Sequence, residues 1–297
     1  MTKIKTQATA IALLIAVFLT FGFAYFYSKI DNSSSTENNE PLPDNNEDGN
    51  STDSDTDVNI PESPENTTPP ATELPEEEPE DEKKRTYTYI RSKVNGLNLR
   101  SGAGTSYSSV GYINTNDMVS YKGTIGKWYI TEYKGKTAYV SADSAYTEIF
   151  KIEDEHNETT ENIINEGLKL LGFPYVYGAA RLHDGKGNFL KNFDDTKYDC
   201  SSLMQYMFYY GAKVNLNVTT RTQVVQGNHV PKNELKRGDL MFFTNSSRYN
   251  NTGVERIGHV ALYLGENYIL HTASDYAVIE PISSQRWNYY IESRRVH

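Results

Sequence analysis

Cysteine is almost absent from this chain: Cys200 is the only one in 297 residues. A single cysteine excludes an intrachain disulfide framework, so stability must come from packed cores, and one free thiol is left over. Metal-binding patterns are missing too. There is no HExxH segment and no clustered Cys/His ligand set, so neither a metal nor another cofactor is expected. No Walker-type glycine loop is present, and Arg294 and Arg295 are too few for a nucleic-acid footprint. No internal repeat occurs. Hydrophobic residues reach only 37%, low for a chain packed throughout.

Positive charge is missing from one long stretch. Residues 31–82 carry 18 Asp and Glu and no Lys or Arg, in a background of Asn, Ser, Thr and Pro. Such a segment can bury little apolar area and repels itself, so residues 29–85 are expected to form an extended, disordered linker. The net charge of −10 divides into +3 before residue 31, −18 over 31–82 and +5 beyond. The remainder is therefore mildly basic, which suits an anionic polymer surface.

Long apolar runs are equally scarce. The one present, "ATAIALLIAVFLTFGFAYFY" at residues 8–27, follows Lys3 and Lys5. At about 1.5 Å per residue it spans the roughly 30 Å hydrocarbon layer, and the lysines favour a cytoplasmic N-terminus. The expectation is a cytoplasmic stub at 1–7 and a transmembrane anchor at 8–28. The competing reading is a signal peptide cleaved near Gly22-Phe23-Ala24. Either way the rest of the chain lies outside the cytoplasm.

From Thr86 the composition changes. Short β-rich runs such as "MVSYKG", "KWYITEY" and "TAYVS" alternate with Gly and Asn turns. Residues 86–150 are expected to fold as a small all-β barrel, joined by a polar link at 151–160 to a second domain at 160–297. That domain opens with "TENIINEGLKLLG", whose Ile163, Ile164, Leu168 and Leu171 recur at helical spacing up to Gly172.

The segment "KYDCSSLMQYMFYY" (197–210) predicts a second helix, with Leu203, Met207 and Tyr210 on one face and Gly211 ending it. Asp199 is its expected N-cap, which places Cys200 in the first turn. There, unpaired amides and the positive end of the helix dipole favour a thiolate. A lone cysteine beside an apolar helix is, by itself, more often packing. "RIGHVALYLGENYILHTAS" (256–274) predicts a β-hairpin with a three-residue loop at 265–267, pairing Leu264 with Tyr268 and Leu262 with Leu270. His259 and His271 then share one face as diagonal neighbours. That arrangement fits a nucleophile, its base and an orienting group, or two surface histidines.

Two resemblances bear on these alternatives. "GLNLRSGAGTSYSSVGYI" followed by "KWYITEYKGKTAYVS" resembles the bacterial SH3-like family, which implies a wall-targeting module. The segments "GFPYVYGAA", "YDCSSLMQYMF", "RTQVVQG", "LKRGDLMFF" and "IGHVALYLGENYILHTAS", in that order, resemble the NlpC/P60 family of papain-like cysteine peptidases. The resemblance implies an α+β fold: a papain-like catalytic domain behind the small barrel. Cys200 would be the nucleophile, His259 the base and His271 the third polar residue. Tyr175, Asp199 and Ser201 would help bind the free amine of a short wall peptide, although Asp199 and Ser201 could instead serve as helix caps.

Two departures stand out. Ser202 occupies a position where the family usually has Gly, and residues 181–198 form an insertion expected to wall the substrate cleft. The implied activity is hydrolysis of amide bonds in peptidoglycan stem peptides, at the bond between γ-linked D-glutamate and the diamino acid. An amidase, a cross-bridge peptidase and a non-catalytic wall-binding scaffold are the alternatives. The implied partners are peptidoglycan and, through the anchor, a bacterial membrane, with the catalytic domain at the wall.

Overall fold

Short strands separated by positive-φ turn residues dominate the first part of the computed structural model. It describes residues 84–272 and 275–297. The apolar run at 8–27 and the acidic segment lie outside the described residues. No helix among those described is long and apolar enough to cross a membrane.

The barrel region comprises β1 (Lys84–Ser92), β2 (Leu97–Arg100), β3 (Ser109–Ile113), β4 (Met118–Ser120), β5 (Gly123–Ile125), β6 (Trp128–Tyr133), β7 (Lys136–Ser141) and β8 (Thr147–Glu155). Five of these form a sheet in the order β3-β2-β7-β6-β5. Its inward residues, including Leu99, Ile113, Ala138 and Val140, are buried while their sequence neighbours are not, the period-2 pattern of a sheet covered on one face.

The polar link expected at 151–160 is mostly strand. β8 continues to Glu155 because each residue from Thr147 onward pairs with β1, ending at Lys84↔Glu155. Exposed polar residues at 151, 153 and 155 alternate with buried Ile152, a pattern easily mistaken for a linker. Helix α1 (Glu158–Lys169) then starts at once, with the Asn157 side chain accepting from Thr160 N.

α1 buries Ile163, Ile164 and Leu168 against α2 (Cys200–Ala212), which contributes Leu203, Met204, Met207 and Phe208. Burying side chains of this size contributes about 1.5–3 kcal/mol each. Two sequence expectations about α2 fail. Tyr210 is 42% exposed rather than on the core face. Gly211 does not end the helix, which closes two residues later with Lys213 in the left-handed region at φ 57°. Gly211 instead permits close helix contact, since a Cβ there would meet the Ile163 backbone.

Beyond α2 come α3 (Thr220–Gln223), β9 (Asn228–Val230), β10 (Leu240–Phe243), β11 (His259–Gly265), β12 (Tyr268–Thr272), β13 (Ala277–Pro281), α4 (Ser284–Tyr289) and β14 (Tyr290–Arg295). The β11–β12 turn is shorter than expected. Glu266 and Asn267, both at positive φ, form a two-residue loop closed by Gly265↔Tyr268, and a bulge at Leu264 absorbs the extra residue. The Leu262↔Leu270 pair expected from sequence is kept, and so is the face shared by His259 and His271.

The two regions share one nine-stranded sheet, in the order β8-β1-β4-β13-β12-β11-β10-β14-β9. The join is the pair Ile279↔Met118 between β13 and β4. Lys134 N and Gly135 N, in the β6–β7 turn, donate to the carbonyls of Leu171 (2.9 Å) and Lys169 (2.8 Å) at the end of α1. Gly172, at φ +87°, leaves room for the Tyr133 ring. Buried Arg237 reaches Glu161 through Nε (2.6 Å) and Nη2 (3.0 Å), Tyr89 Oη (2.8 Å) and the Leu264 carbonyl (2.8 Å). One guanidinium thus ties a barrel strand, α1 and the β11 ribbon together.

Candidate active site

α2 begins at Asp199–Cys200 because a complete capping box stands there. Asp199 Oδ1 accepts from Ser202 N (2.8 Å), and Asp199 N donates to Ser202 Oγ (2.9 Å). Ser202, the departure from the usual Gly, is fully buried and supplies half of that box.

Cys200 follows in the first turn, 8% exposed. The backbone N–H groups of Val260, the residue after His259, and of Ser201 favour its anion. Burial opposes the thiolate expected from the helix end. Burial, with the neighbouring Asp199 charge adding, pushes the thiol up to about 12, and the two amides and Arg181 only partly offset this.

The histidines come together as the hairpin register requires. His259 Nε2 lies 2.9 Å from His271 Nδ1, with ring centroids 5.0 Å apart. Burial, reinforced by the charges of His271 and Arg286, holds His259 well below the ordinary histidine value. His271 is fully buried and is lowered by burial as well, against the pull of Glu280. Both shifts favour a neutral thiol and a neutral imidazole at rest. That pair can still do nucleophilic chemistry if the proton moves to His259 as the sulfur attacks.

His271 Nε2 lies 2.9 Å from Glu280 Oε1, and Arg286 Nη2 donates to the same oxygen at 2.8 Å. Burial disfavours ionisation of Glu280, but the His271 hydrogen bond and the Arg286 guanidinium outweigh it and hold the carboxyl down at about 2. Neither Glu280 nor Arg286 is evident from sequence. Glu280 lies opposite Ile269 on β13, which makes it a diagonal neighbour of His271, but only the β12–β13 register reveals this.

A cleft of about 520 Å³ opens beside His259, lined also by Tyr175, Asn245, Thr272, Ser283 and Arg286. Tyr175 borders the nucleophile: burial first, then the Cys200 and Asp199 charges, push its phenol up to about 12, so it remains a neutral donor. Asp199 and Ser201 are placed differently. Asp199 Oδ2 pairs with Arg181 Nη1 at 2.8 Å, and Ser201 Oγ donates to Asp199 Oδ1 at 3.1 Å. Both act within the cap, and each Asp199 oxygen already has a protein partner.

The insertion at 181–198, like Cys200 itself, contributes no residue to the lining of this cleft. It packs on the outer side of α2 instead. Phe189 meets Tyr209, Phe193 meets Tyr206, and buried His183 accepts from Gln205 Nε2 through its backbone carbonyl.

Residues 172–296 match the NlpC/P60 family, and residues 95–147 match the bacterial SH3 domain. The chain carries an NlpC/P60 domain preceded by a bacterial SH3 domain. Its curated relatives include peptidoglycan endopeptidases. It is 26% identical over 136 residues to peptidoglycan endopeptidase RipA of Mycolicibacterium smegmatis, covering 45% of this chain and 25% of that protein. With the gamma-D-glutamyl-L-lysine dipeptidyl-peptidase of Bacillus subtilis the identity is 32% over 114 residues, covering 38% and 32%. A solved Staphylococcus aureus protein, described as similar to lipoprotein of the NLP/P60 family, aligns at 30% identity with a TM-score of 0.38, covering 48% of this chain and 42% of that one. The chain thus spans about a quarter to a third of the length of these two curated relatives.

Proposed function

We propose that the chain is a peptidoglycan hydrolase that cuts the stem peptide between γ-linked D-glutamate and the diamino acid. The observation that carries this reading is a thiol at a capped helix start, on a helix packed against the strand that bears His259, with His259 itself paired to His271. The endopeptidase relatives support the substrate class, and the Bacillus subtilis dipeptidyl-peptidase supports the bond.

In this mechanism His259 takes the Cys200 proton at Nδ1 while the sulfur adds to the amide carbonyl. Backbone N–H groups around the Cys200 turn stabilise the oxyanion. The tetrahedral adduct collapses to a thioester as His259 gives its proton to the departing amine. Water, deprotonated by His259, then attacks the thioester, releasing the γ-glutamyl carboxylate and restoring the thiol. The SH3 domain adds contact with the wall. Residues 8–28 hold the chain in a bacterial membrane with the catalytic domain outside, or direct its secretion if they are cleaved.

Digestion of defined muropeptides, with the fragments weighed by mass spectrometry, tests the reading. The expected products are a peptide ending in γ-D-glutamate and one beginning with the diamino acid. Release of intact stem peptide would instead identify an amidase, and opened cross-links a cross-bridge peptidase. No cleavage at all, with sacculus binding retained, would identify a scaffold.

A further inference from the structure

Four ionisable side chains from four successive elements stand in one line: His259 on β11, His271 on β12, Glu280 on β13 and Arg286 on α4. We propose that Glu280, oriented by Arg286, is a positioning residue that sets the tautomer of His259 through His271. This rests on the reading of Cys200 and His259 as nucleophile and base.

Hydrogen-bond directions can be assigned from the acidic end. An ionised carboxylate can only accept, so His271 Nε2 must carry the proton it shares with Glu280. The Nδ1 of neutral His271 is then an acceptor, and at 2.9 Å it takes a hydrogen bond from His259 Nε2–H. A neutral imidazole holds one proton, so His259 Nδ1 keeps its lone pair. That nitrogen is the one required to receive the Cys200 proton. Arg286 donates to the same Glu280 oxygen and so keeps the carboxylate ionised and in place.

The sequence of contacts gives Glu280 a second effect. As His259 gains a proton, its positive charge is felt along the line, and the Glu280 charge stabilises it. The groups facing Glu280 are His271 from β12, Arg286 from α4 and Asp117, just before β4 of the SH3 domain. Burial pushes the Asp117 carboxyl up to about 6, and the Glu280 charge adds to that rise. The pairing of β4 with β13 places the SH3 domain directly behind the strand that carries Glu280.

Glu280→Gln tests the assignment. A glutamine keeps an acceptor oxygen for Arg286 and His271 but removes the charge, so the His271 proton is held less firmly on Nε2 and the tautomer of His259 is no longer fixed. The expected result is a kcat loss of roughly 10- to 100-fold with KM nearly unchanged. The acid limb of kcat/KM should move to lower pH, because an imidazolium without the carboxylate behind it is a stronger acid. Glu280→Asp, which keeps the acceptor charge, should recover part of kcat and return the limb toward its original position.

Alkylation of Cys200 by iodoacetamide adds a readout that needs no peptide substrate, and it should slow in Glu280→Gln. An unchanged acid limb and alkylation rate in a folded Glu280→Gln protein would overturn the proposal. If that variant does not fold, Arg286→Lys gives the same test in weaker form. Slowed alkylation in a protein that cleaves no stem peptide would support the positioning role and overturn the hydrolase reading.

Discussion

The site is flanked by two carboxylate–arginine pairs of similar geometry. Arg181–Asp199 stands at the helix end and Arg286–Glu280 at the ribbon, each with N–O distances of 2.8 Å. Their surroundings give them different work. The carboxylate of Asp199 is 7% exposed, and its other contacts are to Ser202 N and Ser201 Oγ, all within the turn that starts α2. Glu280 is 28% exposed and touches a histidine that touches a second histidine. One pair closes the turn that begins α2, whereas the other reaches His259 through His271 and, on the proposal above, acts on its proton inventory. The same chemical pair is structural or functional according to what its carboxylate touches next.

That contrast can be broken by substitution. Cys200→Ala should lower kcat by roughly four to six orders of magnitude with the fold intact, which circular dichroism and a muropeptide assay check together. Asp199→Ala should act mainly on stability. It removes the cap and leaves Arg181 buried without its partner, a loss of about 3–5 kcal/mol readable by chemical denaturation. If Asp199→Ala instead leaves stability unchanged but raises KM for peptides with a free amino terminus, the helix-end pair is a substrate site and the contrast fails.

Arg237→Leu should also cost about 3–5 kcal/mol, since Glu161 would lose its partner under the barrel. The smallest effect expected is that of Ser202→Ala, which removes half of the capping box for about 0.5–2 kcal/mol and leaves kcat near that of the parent. The raised thiol sets a pH signature as well. The protonated form persists above the ordinary cysteine value of about 8.5, so alkylation of Cys200 should still be accelerating beyond that pH. A plateau near neutrality would mean a preformed thiolate–imidazolium pair.

Much of this was legible before the structure because it is local. The Asp199 cap, the face shared by His259 and His271, and the break in composition near residue 86 all follow from spacings of a few residues. The register of the β11–β12 ribbon was legible while its loop was not, because a bulge at Leu264 and a two-residue turn give the same Leu262↔Leu270 pair as a three-residue loop. What sequence did not show depends on distant partners. Glu280 is nine residues from His271 but joins it only through strand pairing, and Arg237 lies 76 residues from Glu161. The surroundings of Cys200 were only half legible for a related reason. A helix start favours the anion, but burial beneath β11 acts in the opposite direction and is the larger effect.

The direct test of the account is ¹⁵N NMR of the histidine side chains in the intact protein at neutral pH. The account predicts that His259 is neutral with its proton on Nε2 and a bare Nδ1, and that His271 is neutral with its proton on Nε2. An imidazolium at His259, or a proton resident on its Nδ1, would contradict it.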